Sequence, residues 1–135
     1  MKLKIASNIE IKFVIGKGYG VFATEAIKAN TVIEECRLLS LYRKSNAQNY
    51  DRILPNYIFG YPKGSTWENA VLPVGYGCIY NHNIEPNTAW RDHPCRHMAA
   101  FQFFTIKDVI AGEELCTYYG DSTYWNKNQP NIKML

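Results

Sequence analysis

Short apolar runs broken by Gly, Pro, Asn and charged residues cover the whole chain, and no 3.6-residue period persists long enough for a long amphipathic helix. Residues 9–15 (Ile-Glu-Ile-Lys-Phe-Val-Ile) alternate and then turn apolar, which predicts a strand. Gly16-Lys17-Gly18-Tyr19-Gly20 interrupts it, and Val21-Phe22-Ala23 resumes an apolar strand. Residues 24–30 are a polar turn region. Residues 31–36 and 38–42 predict one or two strands, 43–48 a loop, 50–54 a brief helix stopped by Pro55, 56–61 a further strand and 62–65 a turn. Residues 98–106 (Met-Ala-Ala-Phe-Gln-Phe-Phe-Thr-Ile) are apolar almost throughout, as suits a strand buried on both faces. After a turn at 107–113, residues 115–119 form the last strand, and an Asn- and Lys-rich tail follows. The pattern predicts a mainly β fold of many short strands with few short helices, in one domain over residues 1–135 with its core at about 9–125.

One stretch fits neither period. Residues 77–87 (Gly-Cys-Ile-Tyr-Asn-His-Asn-Ile-Glu-Pro-Asn) bring Asn81, His82 and Asn83 directly after an apolar run. Polar groups so placed need partners, either another chain segment or a small polar ligand. The plainer reading is a loop with Asx turns before Pro86.

Composition narrows the classes. The 135 residues carry 15 Lys and Arg against 12 Asp and Glu, a net charge of +3. That is too weak a bias to predict direct nucleic-acid binding. No apolar run approaches membrane-spanning length and no signal-peptide core opens the chain, so an intracellular protein is expected. Cys36, Cys78, Cys95 and Cys116 include no C-x-x-C pair and are expected to be free thiols. His93-Pro94-Cys95-Arg96-His97 packs three ligand types into five residues but lacks a second pair at zinc spacing, so a variable polar loop is expected and no metal.

Three motifs carry chemistry. The 16–20 glycines lack the spacing and following helix of a dinucleotide or phosphate loop, which leaves a tight turn where backbone can approach a ligand. Cys78, His82 and Asn87 supply the residue types of a hydrolase triad, but triads converge in space and not within ten residues. Residues 112–120 (Gly-Glu-Glu-Leu-Cys-Thr-Tyr-Tyr-Gly) end a strand on a Tyr pair, where a hydroxyl serves at neutral pH mainly as an oriented hydrogen-bonding group.

Taken in order, Gly18-Tyr19-Gly20-Val21-Phe22-Ala23, residues 27–36, Asn81-His82-Asn83-Ile84-Glu85-Pro86-Asn87, residues 105–115 and Tyr119-Gly120 resemble the SET-domain family of lysine methyltransferases over roughly residues 9–125. The short length, residues 56–59 and the ending through Tyr124-Trp125 look most like the free-standing viral histone methyltransferases of that family. The resemblance implies small curved sheets with the chain near Asn81-His82 tucked under a later segment in a pseudoknot. It implies S-adenosylmethionine as cofactor, held by Lys17, Gly18, Tyr19, Asn81, His82 and the tail aromatic Trp125. Tyr119 matches the catalytic Tyr, and Tyr57, Thr117 and Tyr118 fall in the substrate channel. The implied partner is a protein lysine, on a histone (H3) tail, with a nuclear location following from that target. A non-histone protein substrate and a catalytically silent binding module are the alternatives, and a homodimer is the expected assembly. The chain departs from the family at Asn83, where Ser is usual, and at Tyr118, where many members have Asp. Thr117 stands two before the catalytic Tyr in place of Phe or Tyr, which leaves the number of methyls transferred open.

Overall fold

A computed structural model of the chain describes residues 2–41, 57–63 and 70–119. Among the described residues nine strands form two sheets: β1 Ile9–Val14, β2 Gly18–Ala23, β3 Val32–Ser40, β4 Phe59–Gly60, β5 Ala70–Pro73, β6 Asn81–His82, β7 Thr88–Asp92, β8 Ala100–Thr105 and β9 Glu114–Thr117. The first sheet has the order β1-β2-β9-β6 and the second β4-β5-β3-β8-β7. The described residues hold no helix, and the helix expected at 50–54 lies outside them.

The 16–20 glycines make a hairpin. Gly16 and Gly18 take φ of 84° and 95°, the left-handed region that a β-carbon disfavours, and Val14 pairs with Gly18 across the turn. The hairpin sets β1 on β2 antiparallel, from Ile9 opposite Ala23 to Phe13 opposite Tyr19.

Of the one or two strands expected over 31–42, the chain forms one at 32–40, because nothing between Cys36 and Leu38 breaks the backbone; its first half pairs with β8 and its second with β5. The described part of the 56–61 run, residues 57–61, contributes a shorter strand than expected, Phe59–Gly60. Strand β7, to which the pattern assigns no element, pairs with β8 along its whole length. Its Arg91 and Asp92 hide it from a hydrophobicity reading, and β8 supplies the pairing partner that the local sequence cannot show. Strand β8 is buried as expected, with Phe101 and Phe103 fully so.

The core draws on both sheets. Ile9, Val21, Ala23 and Leu115 from the first meet Ile33, Cys36, Val71, Phe101 and Phe103 from the second, and Tyr80 joins them, stacked on Phe103 with ring centroids 4.6 Å apart. Turns 24–30 and 107–113 are joined by reciprocal backbone bonds between Ile27 and Val109. The expected polar loop at 93–97 needs correction at its first residue: His93 is buried, and its Nε2 donates to Glu35 at 2.8 Å.

Candidate active site

The site forms where β9 enters the first sheet. Strand β9 lies between β2, its antiparallel neighbour (Phe22 opposite Glu114), and β6, its parallel neighbour (Asn81 opposite Cys116, His82 opposite Thr117). Residues 81–82 are thereby laid alongside a segment that follows them by more than thirty positions. Asn87 fastens the same loop a second time. Its amide donates to the Glu114 carbonyl at 2.9 Å and to Glu113 at 3.1 Å, and its oxygen accepts the Cys116 N–H at 2.9 Å. The expected Asx turn is present, with Asn83 Oδ1 accepting the Glu85 N–H at 2.8 Å.

Tyr119 follows the end of β9. Its hydroxyl donates to the Tyr80 carbonyl, and its backbone N–H donates to His82 Nδ1 at 2.8 Å. Burial, reinforced by Cys116, Cys78, Tyr57 and Glu114 nearby, pushes the Tyr119 hydroxyl well above the usual phenol range, so it keeps its proton at neutral pH. Burial pushes His82 the other way, below the usual imidazole range, so the ring is neutral. Because Nδ1 accepts, the proton sits on Nε2, which is buried and has no hydrogen-bond partner among the described residues. The His82 ring lies 5.3 Å from each of the Tyr118 and Tyr119 rings.

The other residues named from sequence fall around this point. Lys17, in the hairpin turn, pairs with Glu114. Asn81 Nδ2 donates to the Tyr19 carbonyl at 3.1 Å and to Glu114 at 2.7 Å, which joins hairpin, β6 and β9. Gly18 faces open space, so its backbone is accessible. Thr117 is buried on β9, whereas Tyr118 and Tyr57 are exposed. The Tyr57 carbonyl accepts from the Cys78 thiol at 3.5 Å. Trp125 lies outside the described residues. The sequence reading missed Glu114 as the hub of this cluster, Glu34 behind Tyr80 and the Tyr80 carbonyl itself. Glu34 is a buried carboxylate that accepts from the Tyr80 hydroxyl at 2.7 Å. A buried acid with no cation beside it in the sequence was the available signal for Glu34. A backbone carbonyl offers none.

The comparisons with known proteins meet this geometry. The sequence matches the SET domain family over residues 18–120. A histone-lysine N-methyltransferase of Schizosaccharomyces pombe, specific for H3 lysine-37, is 30% identical over 122 residues, which are 90% of this chain and 79% of that protein. An H3 lysine-36 specific histone-lysine N-methyltransferase of Cryptococcus neoformans is 28% identical over 127 residues, 91% of this chain but 15% of that much longer protein. The crystal structure of a provisionally assigned histone methyltransferase of Plasmodium falciparum superposes with a TM-score of 0.70 at 27% identity, covering 89% of this chain and 99% of that one. With the match running from Gly18 on the second strand of the hairpin through Tyr119, this chain belongs to the SET-domain family of protein lysine methyltransferases.

Proposed function

We propose that the chain transfers a methyl group from S-adenosylmethionine to the side-chain amine of a protein lysine, with a histone H3 tail as substrate. The observation that carries the reading is the placement of Tyr119. Its backbone is fixed by His82, its hydroxyl is fixed on the Tyr80 carbonyl, and Lys17, Asn81 and the open backbone of Gly18 gather on the neighbouring strands. The relatives named above support the histone target.

The residues fit the cofactor. Its amino-acid end carries a carboxylate and an ammonium, and the cluster offers the Lys17 cation, the Glu114 anion and the Asn81 amide, with the His82 Nε2–H as a further buried donor. Lys17, Gly18, Tyr19, Asn81 and His82 would hold it, with Trp125 of the tail closing the site. When bound, S-adenosylmethionine supplies the activated methyl group.

The chain supplies position. A free lysine has a pKa of about 10.4, so the site must favour the neutral amine. The rings of Tyr57, Tyr118 and Tyr119 would favour it by withholding water once a bound peptide covers the two exposed ones. A Tyr119 hydroxyl that keeps its proton and points it at a carbonyl meets an approaching amine as an acceptor, orienting its lone pair without acting as the base. Thr117 and Tyr118 line the channel beside it. A histone target places the protein in the nucleus. The exposed edge strand β1, with Phe13 on its surface, suits a homodimer. The kinship with short viral members rests on the sequence features given above.

The test is methyl transfer from radiolabelled S-adenosylmethionine to mixed core histones, wild type beside Tyr119→Phe. Label on the H3 band, reduced about 100-fold in the variant by the loss of positioning, is expected. Label only on other proteins of a lysate would discard the histone target and keep the enzyme. Cofactor binding with no label anywhere would leave a silent binding module.

A further inference from the structure

Glu114 opens β9, in a motif that drew attention for its tyrosines, yet its side chain is the joint of the cofactor cluster. It is 13% exposed. One oxygen pairs with Lys17 Nζ, and this bond, strengthened by the charge, holds the lysine above its usual proton affinity. The other accepts from Asn81 Nδ2 at 2.7 Å, and the same nitrogen donates to the Tyr19 carbonyl at 3.1 Å. A carboxylate and a carbonyl can only accept. Both N–H bonds of the Asn81 amide are therefore consumed, and a flipped amide would set its oxygen against two acceptors. Among the described residues Asn81 Oδ1 is left as the uncommitted acceptor, and two N–H bonds of Lys17 remain beyond the one on Glu114. Gly20 completes the fit. A β-carbon there would collide with Glu114 Oε2 and stand 3.0 Å from Asn81 Nδ2, so the hairpin backbone is shaped around this carboxylate.

We propose that Glu114 is a positioning residue for the amino-acid end of the cofactor: by anchoring Lys17 and fixing the Asn81 amide with its oxygen uncommitted, it sets a cation and an acceptor side by side, complementary to a carboxylate and an ammonium on one carbon. This rests on the reading that the chain uses S-adenosylmethionine. A neutral amide at position 114 can donate to Asn81, which leaves the Tyr19 carbonyl alone to oppose the flipped orientation, and it no longer holds Lys17 by charge.

The test compares two ligands by calorimetry. S-adenosylhomocysteine keeps the amino-acid end, and 5′-methylthioadenosine lacks it. Glu114→Gln is expected to weaken S-adenosylhomocysteine about tenfold or more while leaving 5′-methylthioadenosine within about twofold. Glu114→Asp, which keeps the charge but shortens the reach, is expected to behave the same way and serves if the glutamine variant does not fold. Lys17→Met, in the exposed turn, should show the same selectivity, and adding it to the glutamine variant should cost less than the two single losses combined. Variants that bind both ligands as wild type does, or that lose both equally, would overturn the proposal and leave the enzyme reading standing. Wild type that binds neither ligand would overturn both.

Discussion

At the scale of single residues, protonation states organise the site. His82 Nδ1 must keep its lone pair to accept the Tyr119 N–H, and burial lowers its affinity for a proton. The unfolded chain, with an ordinary imidazole near pH 6.5, then binds that proton more tightly than the folded one. Stability is complete above about pH 6.5 and falls as the pH drops from there toward the lower folded value. Denaturation midpoints measured across pH 5–8 should show this decline in wild type, and His82→Asn, which does not titrate, should flatten it. The thiols beside Tyr119 respond in the opposite sense. Burial, with Glu34 near one and Glu114 near the other, pushes Cys78 and Cys116 each up to about 11. At pH 7.5 their thiolate fraction is about a hundredfold below that of an ordinary cysteine, so iodoacetamide should label them correspondingly slowly in the folded protein, read by mass spectrometry. Rapid labelling at either position would contradict the burial described here.

At the scale of elements, two side chains hold strands that local sequence cannot join. Asn87 takes up the Glu114 carbonyl and the Cys116 N–H, and so locks the 81–87 loop to β9. Asn87→Ala strands both backbone groups in a buried place and should cost about 2–4 kcal/mol, measured from urea midpoints at unchanged slope. Asn87→Asp cannot donate to the Glu114 carbonyl and adds charge beside Glu113, so it should not rescue the loss. On the second sheet, Glu35 accepts from the Lys4 N–H at 2.7 Å, Gln102 at 2.7 Å and His93 at 2.8 Å. Burial raises its proton affinity, but the hydrogen bonds from Gln102, Lys4 and His93 together outweigh it and hold the carboxyl below its usual range. Such a group contributes stability that is present above the unfolded carboxyl value, about pH 4.3, and lost as the pH falls through the lower folded one. Glu35→Gln should therefore soften the acid limb of the stability profile below about pH 4, a separate feature from the His82 limb.

At the scale of the whole molecule, the apolar surface is uneven. No helix among the described residues is long and apolar enough to cross a membrane. The β1–β2 hairpin leaves Phe13 61% and Tyr19 62% exposed, their rings edge to face at 5.1 Å, on a sheet whose outer strand has no second neighbour among the described residues. Exposed edges with apolar side chains invite pairing with another chain. If the proposed homodimer forms and uses this edge, Phe13→Glu should lower the sedimenting mass to that of one 15.5 kDa chain without lowering the melting temperature. A wild-type protein that sediments as one chain across the micromolar range would remove the dimer from the reading.

The order of short strands, the permissive turn at Gly16 and Gly18 and the buried run that became β8 were all legible in the chain, because each depends on neighbours in sequence: a period of two, a left-handed φ, an unbroken apolar stretch. Kinship with the SET-domain family was legible for a related reason, since its motifs keep their order and residue types. Strand β7 was not, because its pattern acquires meaning only against β8. Nor was the burial of His93, which Glu35 supplies from a position 58 residues earlier. The site itself divides in the same way. Tyr119, Asn81, His82 and Lys17 could be named from sequence, but the joining of Lys17 and Asn81 through Glu114, the fixing of the Asn81 amide and the pairing of the Tyr119 hydroxyl with the Tyr80 carbonyl arise only once β9 lies between β2 and β6. Local chemistry chose the groups, and long-range strand register, which no window of the sequence contains, decided which of them meet.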